Sequence, residues 1–322
     1  MRSSGLAIGL LLLGATRLFA ASPVRIIKIA VTNPNAWVRP REPIVVSLDD
    51  LRRRAPDLQP AHLLLTASDA RTIEEDAAAL GTEELPSQVD DLDGDGRLDE
   101  LAFQVALGPH QTRVVSIVGG DPAVLARLRA SYPRRTNALY SKNYEGPGWE
   151  SELVAFRLYL DARNAIDVFG KRRPGLWLER WGGAEYDYHA ESPLGRDIYK
   201  IGDALGIGSL AAFTKGTATG VRDANERTSS VRAVGPVRSI VEVAYKGWAL
   251  GNARIDARST IVQWAGERGF EHRAWASAPV SFVTALPRKP GLSQGVTRAV
   301  GSVALISVAA IALGFLLARR RR

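Results

Sequence analysis

Through the middle of the chain, apolar residues come in runs of four to eight that stop at Gly, Pro, Asn or Asp, which is the length and punctuation of β-strands. Arg25–Thr32, Pro43–Leu48, His62–Thr66, Leu101–Val105, Thr112–Val118, Leu153–Leu160, Val231–Val234, Ser239–Tyr245 and Ala257–Trp264 read as strands, and Asn33-Pro34-Asn35 as a turn. Helical periodicity is confined to short stretches, Ala123–Ala130 being the best. The fold class expected is therefore mainly all-β. A boundary falls where Gly119-Gly120-Asp121-Pro122 and Pro133-Arg134-Arg135-Thr136 break the pattern. This gives a small N-terminal β-sandwich over 21–120, a linker with a short helix over 121–140 and a second β domain over 141–290.

The two ends differ from this middle. Arg2, the apolar run Gly5–Ala15 and small residues at Ala20 and Ala21 follow the order of a secretory signal peptide, assigned to 1–20. An uncleaved N-terminal anchor is the alternative. Ala299–Ala318 carries no charge and as a helix would reach ~30 Å, the thickness of a bilayer's hydrocarbon core. It is expected as a transmembrane helix after a spacer at 291–298, with Arg319–Arg322 as a cytoplasmic tail. The chain is thus read as exported and membrane-anchored, its soluble part on the periplasmic or extracellular side.

Of the formal net charge of +8, six charges are arginines at these extremities, so the middle is close to neutral and the basicity does not argue for nucleic acid. The absence of cysteine excludes a disulfide scaffold, a thiolate metal site and a thiol nucleophile. No dinucleotide-loop glycine spacing, Gly-x-Ser-x-Gly elbow or His-Glu-x-x-His helix occurs, so no nucleotide cofactor is expected.

The strongest chemical motif is Asp90-Asp91-Leu92-Asp93-Gly94-Asp95-Gly96-Arg97-Leu98-Asp99-Glu100. Carboxylates at alternate positions with glycine at the reversal converge hard oxygens on one point, which suits Ca2+. Position 12 of an EF-hand would need a glutamate, and Ala102 stands there. A structural calcium loop between strands is expected instead, with Asp91, Asp93, Asp95 and Asp99 giving side chains and Arg97 its carbonyl. The alternative is a solvated acidic turn.

Leu85-Pro86-Ser87-Gln88-Val89-Asp90-Asp91 leading into that loop, then Asp99-Glu100-Leu101-Ala102-Phe103-Gln104, resemble a known group. So do Trp149-Glu150, Ala155-Phe156-Arg157-Leu158-Tyr159, Asp187-Tyr188-His189, Asp197-Ile198-Tyr199-Lys200-Ile201-Gly202 and Leu205-Gly206. In this order the segments resemble the bacterial family catalogued as domain of unknown function 4861, over roughly Val24–Pro290. The resemblance implies an exported protein associated with polysaccharide use, whose larger domain is a galactose-mutarotase-like β-sandwich, and a carbohydrate partner by association. Members of that family continue through further strands after the segment like Phe282–Leu286, whereas a spacer and an apolar segment follow here. A truncated sandwich with an uncovered sheet edge is one expectation from that departure.

With only four histidines, His189 is the first choice for proton exchange with a sugar; His62, His110 and His272 read as structural. Arg157 and Glu150 complete the expected catalytic set, because chemistry on an acidic sugar needs a cation for the carboxylate and a base for the proton. Arg157 alternates with Ala155 and Tyr159 on one face of its strand. Trp149, Lys171, Asp197 and Lys200 are the expected substrate contacts, the indole by stacking on a sugar ring. Two readings stay open. One is a protein that binds an acidic carbohydrate and processes it by lyase- or epimerase-type proton transfer; the other is a non-catalytic glycan-binding or envelope structural module.

Overall fold

A computed structural model describes residues 25–76, 81, 83–130, 132–183, 187, 190–198, 205–214, 216–284 and 298–308. The first part of the chain runs β1 (Arg25–Thr32), β2 (Arg39–Ser47), α1 (Leu48–Arg54), β3 (Leu63–Ser68), β4 (Glu83–Leu85), β5 (Ser87–Asp90), β6 (Glu100–Leu107), β7 (Thr112–Gly119) and α2 (Pro122–Ala130). Then follow β8 (Thr136–Ser141), β9 (Gly146–Ser151), β10 (Val154–Leu158), β11 (Ile166–Lys171), α3 (Leu178–Trp181), β12 (Gly195–Asp197), β13 (Ala211–Thr214), β14 (Thr217–Gly220), β15 (Glu226–Ala233), β16 (Arg238–Leu250), β17 (Ala253–Trp264), β18 (Phe270–Val283) and β19 (Arg298–Val308). The mainly β expectation holds, and α2 coincides with the short helix read from Ala123–Ala130.

Four sheets stack in layers. A four-stranded sheet, β1-β7-β3-β4, faces a three-stranded one, β2-β6-β5. Leu65, Ile117, Val115, Phe103 and Leu101 fill the space between them, all inaccessible to solvent. The other face of the three-stranded sheet contributes Ala102 and packs on Ile240, Val262 and Trp264 of the seven-stranded sheet, whose order is β14-β13-β18-β17-β16-β15 with β19 beside β18. The opposite face of that sheet carries Val241, Val243, Tyr245, Ile261 and Phe282, which pack on Trp149, Phe156, Leu158 and Val168 of a five-stranded sheet, β12-β11-β10-β9-β8. Alternation along each strand is what lets one sheet serve two cores: Ile240 faces one and Val241 the other.

The second sandwich begins inside the segment read as a linker, because β8 starts at Thr136 and pairs with β9. The expected membrane helix at 299–318 is corrected over its described part. β19 runs antiparallel to β18, from Phe270 opposite Val308 to Val283 opposite Arg298. β17 and β13 pair with β18 on its other edge, so without β19 a fourteen-residue strand would present unsatisfied backbone groups. The β-branched residues Val300, Val303, Ile306 and Val308 suit a strand, and an apolar window alone does not separate strand from helix. β18 is therefore paired along both of its edges from within the chain. No helix among the described residues is long and apolar enough to cross a membrane. The signal segment 1–20, most of the spacer at 291–298 and the tail 319–322 lie outside the described residues.

Candidate functional site

Five-stranded sheets have two faces, and the sequence decides which residues go to each. In β10, Val154, Phe156 and Leu158 point into the sandwich core while Ala155 and Arg157 point to the outer face. In β11, Ile166 and Val168 go inward, and Asp167, Phe169 and Lys171 outward. Glu150 of β9 and Asp197 of β12 join the outer face through the registers Glu150 opposite Ala155 and Asp197 opposite Phe169. This face is roofed by α3 and the segments around it, with Tyr144, Phe169, Leu178 and Trp181 forming a small apolar cluster beneath.

Arg157 is fully buried, and Asp167 lies directly across the ladder from it. The guanidinium donates to Asp167 Oδ2 through Nε at 3.2 Å and Nη2 at 3.1 Å, and Nη2 also donates to the Tyr159 hydroxyl. Its carbon sits 4.0 Å from the Tyr159 ring centroid, and Arg163 stacks on the same ring at 3.7 Å. Burial above all, and then the charge of Asp197, push the Asp167 carboxyl up to about 7 against the opposing pull of Arg157. Tyr159 and Asp197 are partly exposed, so the polar cluster has a solvent-facing rim.

Glu150 and Lys171 also meet on this face, but in a different way. The Lys171 ammonium donates to Glu150, to Ser151 O at 2.6 Å and to Gly175 O at 2.6 Å, which uses all three of its protons. Glu150 accepts the backbone N–H groups of Trp177 and Leu178, each at 2.9 Å, and so caps the start of α3. Side-chain exposures of 1% and 0% leave no approach for a substrate. Burial drives the carboxyl upward and the ammonium downward, and their mutual attraction opposes both shifts. The expected catalytic part for Glu150 and substrate contact for Lys171 are thereby corrected to a structural pair that anchors α3.

Trp149 needs a similar correction. As the neighbour of Glu150 it points to the opposite face, where it is fully buried, stacked on Phe156 at 5.9 Å and edge-on to Phe270 at 5.3 Å. A ring in that position is core, not a platform for a sugar. His189 and Lys200 lie outside the described residues. Of the expected residues, then, the structure brings Arg157, Asp197, Glu150 and Lys171 to one face, the last two closed into a structural pair, and Asp167 and Tyr159 join Arg157 and Asp197. Asp167 was missed from sequence, although a lone acid between Ile166 and Val168 in an apolar strand was a readable signal.

His272 is buried, with Nδ1 2.9 Å from Gly208 O and Nε2 2.8 Å from Ser259 Oγ, inside the sandwich core. Its burial lowers its pKa to about 4, so it is a neutral structural imidazole.

The acidic loop joins β5 to β6. Asp91 accepts the N–H groups of Gly94 at 2.7 Å and Gly96 at 2.9 Å, and Asp99 accepts that of Leu92 at 2.7 Å. Gly94 and Gly96 hold φ of 80° and 87°, a region that disfavours other residues. One carboxylate oxygen each from Asp91, Asp93 and Asp99 lies within 4.8 Å of the others, a spacing that could hold a cation. Asp95 is outside that trio and accepts the Arg97 N–H at 2.7 Å, while the Arg97 side chain pairs with Asp49.

Residues 31–299 match the family model described as Domain of unknown function (DUF4861). Among solved structures, a protein in the glycosyl hydrolase family 38 from Enterococcus faecalis is similar at a TM-score of 0.40 and 7% identity, over 80% of this chain and 32% of that one. An alpha-mannosidase from Enterococcus faecalis V583 is similar at a TM-score of 0.38 and 7% identity, over 80% of this chain and 31% of that one. The chain spans about a third of the length of these two proteins. None of the curated proteins matches it.

Proposed function

The chain belongs to the family of the domain of unknown function DUF4861, and from that premise we propose that it is an exported protein that binds an acidic carbohydrate at the rim of Tyr159 and Asp197, above the buried Arg157, and acts on it by proton transfer. One observation carries this reading. A buried guanidinium on β10, a half-buried phenol just after that strand and a half-buried carboxylate on β12 share the outer face on either side of β11, where the sequence would otherwise place apolar residues. The buried guanidinium contributes positive charge beneath the rim, the exposed edge of an aromatic ring suits the C–H side of a pyranose, and a carboxylate suits proton removal. The non-catalytic module is the second reading, favoured by the loss of Glu150 and Lys171 to a structural pair.

Two further parts belong to the proposal. Ca2+ would be held by Asp91, Asp93 and Asp99 with help from Asp95 and the Arg97 carbonyl, where it would neutralise crowded carboxylates and fix the loop. Export rests on residues 2–21.

The test is incubation of the calcium-loaded chain with polygalacturonate and other polyuronides, following ultraviolet absorbance of unsaturated products and retention on the immobilised polymer. Product formation that is lost in Asp197→Asn while retention persists supports proton transfer. Retention without product supports the module. If neither is seen with any polyuronide, the acidic-carbohydrate reading is wrong.

A further inference from the structure

We propose that the bare end of the seven-stranded sheet, around Trp275, Arg258 and Arg273, is a second binding surface, one that holds a chain of anionic sugars. It lies on the opposite side of the second sandwich from the rim of Tyr159 and Asp197 and does not depend on the role given to that rim.

Register places this surface. On the outer face of the sheet, Ala233, Ile240 and Val262 are direct partners in one rung, and with Trp264 they lie beneath Ala102 and Leu92 of the first sandwich. The next rung on that face joins Ser230, Glu242, Thr260 and Arg273, and the one beyond it Thr228, Ala244, Arg258 and Trp275. None of the residues in these two rungs is buried. Four strands at their usual spacing make each rung about 14 Å long. The sheet therefore runs on past the first sandwich, which stands over it as a step. The strip ends one rung further on, at the exposed Asp256, whose carboxylate accepts the Gly247 N–H at 2.9 Å.

Trp275 is 42% exposed where alternation calls for a polar residue, and the Arg258 guanidinium carbon sits 6.0 Å from its ring centroid. The acids that pair with the arginines are the more sheltered partners. Glu242 and Glu271 are 20% and 25% exposed, against 56% for Arg258 and 46% for Arg273. Each acid is also divided between two partners, because Glu242 accepts from Arg232 at 2.7 Å and Glu271 from Trp264 Nε1 at 2.8 Å. Arg258 reaches Glu242 only through Nε at 3.7 Å and has no hydrogen-bond partner among the described residues, while Arg273 gives Nη2 alone to Glu271 at 3.1 Å. On these rungs solvent thus meets positive charge with donors left over. Guanidinium donors suit carboxylate or sulfate oxygens, and an indole face suits the C–H side of the ring that carries them. A bilayer is too broad to settle beside the step that the first sandwich makes, whereas a single polymer chain fits along it.

Affinity electrophoresis of the full chain in native gels tests this, with polygalacturonate, dextran sulfate or neutral dextran cast into the gel. Either anionic polymer is expected to retard the chain and neutral dextran to leave it unretarded; the stronger of the two names the anion. Trp275→Ala should weaken the interaction about tenfold. Trp275→Phe should keep most of it. Arg258→Gln combined with Arg273→Gln should weaken it and flatten its dependence on salt. All of these positions face solvent, and a melting curve for each variant confirms the fold; should Trp275→Ala fail to fold, the arginine pair decides. Retardation of Trp275→Ala and of the arginine pair equal to wild type overturns the proposal, as does the absence of retardation by both anionic polymers. Uptake by phosphatidylserine vesicles that needs Trp275, with no retardation by either polymer, makes the face a membrane contact and overturns it too. Asp197→Asn separates this surface from the rim. If it abolishes product while retardation still depends on Trp275, both stand; if product and retardation both ignore Asp197, the rim reading falls and this one stands.

Discussion

Asp90 and Glu100 face each other across the rung that closes the acidic loop, and both carboxylates reach the same guanidinium, that of Arg238 on β16. Nε is 2.9 Å from Asp90 and Nη2 is 2.6 Å from Glu100, while Gln88 accepts the backbone N–H groups of Val237 and Arg238 and donates to Asp90. The first sandwich is held on the second through this buried knot. Arg238→Ala leaves Asp90 buried without its counter-ion and is expected to cost about 3–5 kcal/mol by urea denaturation. Arg238→Lys should recover little of it, since an ammonium cannot span both acids as the planar fork does.

Glu150 and Lys171 make a second buried pair, and single and double substitutions should behave very differently. Lys171→Met strands a buried carboxylate and is expected to cost about 3–5 kcal/mol. Adding Glu150→Gln to Lys171→Met removes that uncompensated charge and should return part of the loss. Denaturant unfolding of the double-mutant cycle measures the coupling; strictly additive single costs would contradict it.

Two buried groups pull the pH dependence of stability in opposite directions. The folded chain holds the Asp167 proton more tightly than the unfolded one, so its contribution is complete below the usual aspartate range and is lost as pH rises through about 7. His272 is depressed to about 4, so its contribution is complete above about 6.5 and is lost as pH falls toward 4. Asp167→Asn should therefore make stability climb more steeply between those limits, and His272→Gln should flatten or reverse the climb, each by up to about 1.4 kcal/mol per pH unit. Guanidinium unfolding across this pH range reads both slopes.

Calcium is expected to raise the melting temperature of the wild type, and a chelator to lower it. At a free ion concentration one hundred times Kd, the gain is about 2.7 kcal/mol. Asp91→Asn or Asp99→Asn should remove most of the gain, and Asp95→Asn less, because Asp95 lies outside the close trio. Equal melting temperatures with calcium and with chelator would show that the loop is only a solvated turn.

The pairing of β19 offers a clean cross-linking test, since the chain contains no cysteine. Arg273 and Leu305 are direct partners across the β18–β19 ladder, with the Cα separation that a disulfide tolerates. In the Arg273→Cys, Leu305→Cys chain an intramolecular disulfide is expected on mild oxidation, seen as a mobility shift on non-reducing gels. A helix through residues 299–308 would keep the two positions apart and give no such product.

What the sequence made legible was what is local. The acidic loop could be read because its ligands lie within one turn of chain, and the outward row of Arg157 and Tyr159 because alternation needs only one strand. What escaped depends on register. Lys171 meets Glu150 across intervening β10, through the return of the chain over α3, and nothing near either residue announces the other. Trp149 was misplaced because adjacent residues in a strand face opposite ways, so it could not share a site with Glu150. Residues 299–308 were misread because their apolar run satisfies a membrane helix and a buried strand equally.

Ile240 and Val241 sit side by side on β16, yet each is packed into a different core. The seven-stranded sheet is thus a party wall, and neither compartment can lose it and stay closed. Heating or proteolysis is expected to bring down both halves together, and a fragment cut at the junction after α2 would leave each half with a raw greasy flank in place of its neighbour.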